Sequence, residues 1–190
     1  CATDNQAAGA EAARQLCATM GESGTAVVFA DAAYSQAARG RVRGFRREIE
    51  ADHADVTVKR IFAKENDEDT QKAIRRVLEK GRANGIFCTS QAVAEQVLSV
   101  LEDYPEDEIP LVGFDAGIQQ IQAIREGREI GTILQDIPHM ARQTIQEALY
   151  AAMPGQNGQA IREEEEINVG YMWADGQNLA DAEALGLLYD

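Results

Sequence analysis

Aromatic side chains are scarce in this chain, at 6% of residues with a single tryptophan, and cysteines number three. Cys1, Cys17 and Cys88 lack any metal-type spacing, so neither a zinc site nor a disulfide framework is expected. Cys17 falls in a predicted helix and Cys88 in a predicted strand, where cysteine behaves as a small buried hydrophobe. His53 and His139 stand alone and are expected at the surface. Basic residues are also short, 18 against 32 acidic, for a net charge of −14. That balance excludes a nucleic-acid surface, which needs clustered Lys and Arg. The one basic cluster, Arg39, Arg41, Arg43, Arg46 and Arg47, shares a single predicted helix and reads mostly as a solvated face. No apolar run approaches the ~20 residues that cross a bilayer.

Motifs of common enzymes are missing as well. The chain has no Gly-x-Ser-x-Gly elbow and no phosphate loop ending in Gly-Lys-Ser or Gly-Lys-Thr, and Gly113-Phe-Asp115 is not a dinucleotide fingerprint. Asp115 has the chemistry of a general base but no partner acid or metal, so binding is expected rather than catalysis, with no cofactor and no metal.

What is present is a repeated pattern. Five apolar runs end in polar residues, and each precedes a helix-like stretch. Val27-Val28-Phe29 leads to Asp31 and then Arg39; the run 56–62 leads to Lys64 and Asn66; Ile86-Phe87-Cys88 leads to Thr89 and Ser90; Leu111-Val-Gly-Phe114 leads to Asp115; and the run 130–134 leads to Gln135. With 45% apolar residues in 190, the chain can bury one large domain or one and a half small ones. Strands are predicted at 25–30, 56–62, 85–89, 109–114, 130–134 and 167–173. Helices are predicted from Asp4 or Asn5 to Met20 and at 35–51, 68–81, 91–102, 117–126 and 138–152, with 178–190 as a tail or short helix. Ala38, Val42, Phe45 and Ile49 mark one apolar face of the second helix. The run Glu163–Glu166 reads as a solvated approach to the last strand, and Pro154–Gln159 as the nearest thing to a linker. Such βα alternation implies a parallel α/β sheet with helices on both faces. In that architecture the strand carboxyl ends share one edge and bind ligands in the crevice beyond it. Carboxylates, Arg and amides at such a rim suit hydroxyl recognition.

Five segments carry a resemblance to a known family. They are Thr3-Asp-Asn-Gln-Ala-Ala-Gly9, Ala37-Ala-Arg39-Gly-Arg-Val-Arg-Gly44-Phe45, Val112-Gly-Phe-Asp115 continuing to Ile124 and Gly127, Thr132-Ile-Leu-Gln135-Asp136, and Gly170-Tyr-Met-Trp173 continuing to Asn178 and Asp181. Together, in order and over almost the whole chain, they resemble the ribose/galactose-type periplasmic sugar-binding proteins that feed ABC transporters. The resemblance implies that Arg39 makes a forked contact to ligand hydroxyls or ring oxygen. It implies that Asp115 accepts from two hydroxyls, that Gln135 binds at the hinge and that Asn66 touches ligand. Ser90-Gln91 stands where the family usually has Asn-Asp, so Ser90 is either a ligand contact or a plain helix cap. Tyr34 is the one nearby aromatic.

The same resemblance implies a division of the chain. Residues 1–135 would be the second ligand-binding lobe, 136–172 a return segment that completes the first lobe, and 173–190 a tail crossing back. The first lobe's opening part has no counterpart here, and the sequence reads as beginning mid-protein. Cys1 lacks the polar linker that follows a lipid-modified cysteine and is not read as an anchor. The 136–172 helix and strand are expected to pack on the lobe, to pair with a second copy, or to belong with preceding chain. The implied function is extracytoplasmic binding of a sugar or polyol, in the periplasm or as a cell-surface lipoprotein, with a membrane permease or a sensor/chemoreceptor as partner. The alternative is the effector-binding domain of a lactose-repressor-type regulator. Such regulators usually carry a Gly-His-Arg-Arg-Ile-like stretch where this chain has Met20-Gly-Glu-Ser-Gly-Thr-Ala-Val.

Overall fold

Asp4 starts the first helix: its carboxylate accepts from the Ala7 N–H at 2.9 Å, satisfying one of the donors that a helix start leaves open. In the computed structural model, which describes residues 1–31, 35–105, 108–152 and 167–188, the elements alternate. They run β1 (Ala2–Thr3), α1 (Asn5–Met20), β2 (Ser23–Asp31), α2 (Gln36–Asp52), β3 (Asp55–Ala63), α3 (Glu68–Glu79), β4 (Gly85–Cys88) and α4 (Gln91–Leu101). Then follow β5 (Leu111–Phe114), α5 (Ile118–Arg125), β6 (Gly131–Gln135), α6 (Ile137–Ala152), β7 (Asn168–Val169), β8 (Tyr171–Ala174) and α7 (Leu179–Ala184). Tyr34, the 154–159 linker and the 163–166 acidic run lie outside the described residues.

Six strands form one sheet in the order β3-β2-β4-β5-β6-β8. The first five run parallel. From β2 the chain moves outward to β3, and from β4 it moves the other way, so the order reverses between β2 and β4. Beyond the carboxyl ends at such a reversal, the helices diverge and leave a crevice. Alternation along the strands divides the core. Val28, Phe87, Val112 and Ile133 face α1 and α2, where Phe45 stacks on Phe87 with centroids 5.0 Å apart. Val27, Phe29, Ile86, Cys88 and Leu111 face α3 and α4.

Close helix packing fixes what α2 presents to the rim. A Cβ on Gly9 would collide with the Arg41 carbonyl oxygen, and one on Gly44 with the Gln6 carbonyl oxygen. Glycine at both positions lets the two backbones touch, which locks the rotation of α2 against α1.

The final strand departs from the sequence expectation. It divides at Gly170 into β7, parallel to β1, and β8, antiparallel to β6. The unpaired edge of β6 needs ladder partners, and period-2 patterning suits β8 to supply them. Tyr171 and Trp173 pack on the α1 side, while Met172 and Ala174 join Leu134, Ile124, Leu179 and Leu187 on the other. The sheet is therefore mixed at this edge. β7 is not an isolated strand, because its two residues pair with Ala2 and Thr3. Helix α6 has no buried residue, and Ile137, Ile145 and Leu149 are exposed along it.

Candidate ligand-binding rim at the strand ends

Asp115 follows β5 directly, and its backbone is left-handed with φ 67°. Few non-glycine residues adopt that conformation, so the surroundings must hold it. They do so at three points. The Asp115 N–H donates to the Ile133 carbonyl at 2.8 Å. The Thr132 hydroxyl donates to the Asp115 carbonyl at 2.7 Å. Gln135 Nε2 donates to Asp115 Oδ1 at 2.7 Å. Gln135 is oriented in turn by the Thr3 hydroxyl, which donates to its Oε1 at 2.9 Å. The side-chain chain Thr3–Gln135–Asp115 thus ties β1, β6 and the end of β5 together.

Arg41 forms the second half of the rim. It is 7% exposed and lies on the inner face of α2. Its Nε donates to Asn5 Oδ1 at 2.8 Å, and a terminal nitrogen donates to the Thr89 carbonyl at 2.7 Å. The guanidinium carbon sits 3.4 Å from the centroid of Phe114, the residue before Asp115. Amide, carbonyl and ring together offset the cost of removing the charge from water. Thr89 also accepts the Asp31 N–H at 3.0 Å through its hydroxyl, which joins the ends of β2 and β4 at the sheet reversal.

The residues expected from sequence are placed differently from one another. Asp115 and Gln135 are brought into direct contact. Ser90 begins α4 in extended conformation and makes no side-chain cap bond. Its Oγ is buried without a hydrogen-bond partner among the described residues. Arg39 is exposed on the outer face of α2 and lines a neighbouring polar pocket of about 370 Å³ with Asp4, Asn5, Gln6, Gln36, Arg43 and Asn168. Asn66 is exposed after the edge strand β3, with φ 53°, and donates to Glu65 Oε1 at 3.4 Å. Three strand spacings separate β3 from β5, roughly 14 Å. Tyr34 lies outside the described residues. Sequence reasoning named Thr89 at its strand end but missed Thr3, Asn5, Arg41 and Phe114 as parts of the rim.

Arg41 had a readable signal. It falls on the same helical face as Ala38, Val42 and Phe45, whereas Arg39, Arg43, Arg46 and Arg47 fall on the other.

Neither buried cysteine offers a reactive thiolate. Burial, then Glu22 and Glu48, push Cys17 up to about 11. Burial, then Glu129, push Cys88 well above its usual range. Among the described residues no cluster of three His, Cys, Asp or Glu is placed to hold a metal, and no helix is long and apolar enough to cross a membrane.

A parallel sheet reversing between β2 and β4, with carboxylate, guanidinium and amide groups at its strand ends, defines the α/β lobe of a type I periplasmic binding protein. The chain belongs to the periplasmic binding protein domain family, whose profile matches residues 1–157. The family is described by binding. Solved structures of the same fold include a carbohydrate transporter solute-binding protein from Agrobacterium radiobacter in complex with D-arabinose, at 20% identity and TM-score 0.80, covering 98% of this chain and 64% of that one. A solute-binding protein from Agrobacterium vitis bound to alpha-D-tagatopyranose aligns at 20% identity and TM-score 0.81, covering 99% and 62%. A Brachyspira murdochii protein described as an ABC transporter, LacI family transcriptional regulator, aligns at 24% identity and TM-score 0.78, covering 100% and 66%. The chain spans under two thirds of the length of the two Agrobacterium proteins. Among curated proteins, no sequence match was found.

Proposed function

We propose that this chain is the second lobe of an extracytoplasmic solute-binding protein that recognises a sugar or related polyol for ABC-transporter uptake or sensing. The observation that carries the reading is the Gln135–Asp115 hydrogen bond at the strand-end rim. It leaves a carboxylate oriented for paired sugar hydroxyls, with an arginine buried alongside. Asp115, Gln135, Ser90 and Arg41 make the contacts. Arg39 and Asn66 stand at the margin of the cleft. The family and the sugars bound by the Agrobacterium proteins support this choice.

In the whole protein, residues 1–135 are one jaw, 136–172 complete the other, and 173–190 return to the first. A membrane permease, or a sensor/chemoreceptor, reads the closed form. Chemistry on the ligand is not part of the function. The exposed apolar face of α6 (Ile137, Ile145, Leu149) pairs with a second copy when nothing else covers it.

The test is a thermal-shift screen of the whole gene product against pentoses, hexoses, polyols and nucleosides, with Asp115→Ala in parallel. A stabilising sugar or polyol whose effect vanishes in the variant supports the reading. Stabilisation by nucleosides alone, or a shift unchanged in Asp115→Ala, overturns it. An N-terminal helix-turn-helix in the whole gene product would instead favour the regulator that the Brachyspira likeness suggests.

A further inference from the structure

Behind Asp115 lies a carboxylate that the rim does not use. Glu129, just ahead of β6, is 1% exposed. Its Oε1 accepts from Gln120 Nε2 at 3.1 Å and lies close against the backbone of Gly113. Its Oε2 has no partner among the described residues. A Cβ on Gly113 would collide with both Glu129 Oε1 and Gln120 Nε2, with Thr132 Oγ1 next at 3.1 Å. Glycine there is what allows the pair to lie flat against β5. Gln120 reaches further: its Oε1 accepts the Gly117 N–H at 3.3 Å, and Gly117 caps α5. The pair therefore grips both ends of the segment 113–117, and Asp115 with its left-handed backbone is the middle residue.

The charged and titratable groups around Glu129 are Glu95 from α4, Arg128 beside it and the Cys88 thiol on β4. Burial, opposed by the Gln120 bond and Arg128 and reinforced by Glu95, pushes the carboxyl up to about 8. At neutral pH it is thus an uncharged acid, the form that a buried site with an orphan oxygen accommodates.

We propose that Glu129 and Gln120 form a proton-dependent latch that positions Asp115, holding the 113–117 turn in its binding shape while Glu129 is neutral and releasing it when Glu129 ionises. Glu129 is a positioning residue and acts through the turn. Its relevance to binding rests on the reading of Asp115 as a ligand contact, but the latch can be tested without ligand.

The test is amide hydrogen exchange by NMR on the 190-residue chain between about pH 5 and 9, corrected for intrinsic exchange, with the core amide of Val28 as the reporter of global unfolding. Protection of the Asp115 and Gly117 amides is expected to lie below that of Val28 and to fall in the wild type by up to roughly tenfold per pH unit up to about pH 8, levelling off above it. Glu129→Gln keeps the protection flat. Gln120→Ala lowers protection at Gly117 at every pH. Flat protection in the wild type from about pH 5 to 8, protection equal to that of Val28 throughout, or the same fall in Glu129→Gln, overturns the latch. A negative sugar screen alongside a clear protection step would sink the binding reading and leave the latch standing.

Discussion

Gln135 holds Asp115 through a 2.7 Å bond from Nε2 to Oδ1, across the boundary between β6 and the end of β5. One carboxylate oxygen is thereby oriented by the protein before any ligand arrives. Preorganisation of this kind removes ordering cost from binding. Asp115→Ala in the whole protein is expected to weaken sugar binding by on the order of a few kcal/mol, as removal of a charged hydrogen-bond partner does. Gln135→Ala should cost less, because the carboxylate stays and only its aim is lost. Isothermal titration calorimetry on both variants checks the order; equal affinity of Asp115→Ala and wild type removes Asp115 from the site.

Arg41 and Arg39 are two residues apart and differ in kind. Arg41→Ala strips the Thr89 carbonyl and Asn5 of a donor and uncovers Phe114. A loss of about 2–3 kcal/mol of stability is expected. Arg39→Ala on the exposed face should change stability by less than about 0.5 kcal/mol. Urea denaturation of the two variants compares them directly, and a larger loss at Arg39 would contradict the placement of the two guanidinia.

The pH dependence of stability has a definite sign. Glu129 titrates near 8 in the fold against an ordinary value of 4.5. Between those values the folded chain binds a proton that the unfolded chain does not. Stability from this group is therefore full below about pH 4.5 and is lost as pH rises to about 8, at about 1.4 kcal/mol per pH unit. Glu129→Gln should flatten that window and be more stable than wild type at pH 7. Denaturation midpoints at pH 5, 6.5 and 8 for both proteins provide the comparison. A wild-type curve already flat across this range would falsify the assignment.

The α1/α2 crossing predicts a steep response to one methyl group. Gly44→Ala puts Cβ against the Gln6 carbonyl oxygen, and neither backbone can yield without parting the helices. About 1–3 kcal/mol of destabilisation is expected, as for overpacking elsewhere, with Arg41 displaced from Phe114. Thermal unfolding gives the loss. A fall in Arg41 side-chain order by NMR separates it from the general helix stabilisation that Gly→Ala brings at open sites.

Self-association provides a fifth check. Multi-angle light scattering of the 190-residue chain should show a dimer that Ile145→Glu with Leu149→Glu returns to monomer, because both side chains lie exposed on α6. A monomer at every concentration rules out pairing through that face.

Much of this was legible in the residue pattern. The βα alternation, the element order from α1 to β6 and the strand-end position of Asp115 and Gln135 follow from period-2 and period-3.6 patterning, because one face of each element must be apolar; the two-residue β1, which no pattern marks, does not. Other features were hidden for physical reasons. The Arg41 interaction uses partners on three elements far apart in sequence, Asn5, Thr89 and Phe114. A motif read along the chain favoured Arg39, although helical phase alone puts Arg41 on the buried side. Glu129 carries no mark in the sequence, since nothing local announces that Gln120 and Gly113 enclose it. The division at Gly170 depended on which edges lacked partners, and that is a property of the assembled sheet.

Three chain passages meet at one small knot. Ala2 and Thr3 pair with Asn168 and Val169, the Asp136 N–H donates to the Gly170 carbonyl at 3.4 Å, and the Thr3 hydroxyl donates to Gln135 at 2.9 Å. Because Gln135 also grips Asp115, any flexing of these passages pulls on the carboxylate through a linkage only two side chains long. On the proposed reading of Asp115 as a ligand contact, occupancy of the rim and the bend of the knot become one mechanical variable: a ligand that fixes Asp115 would stiffen the passages, and clamping the passages would tune the affinity of the rim in return.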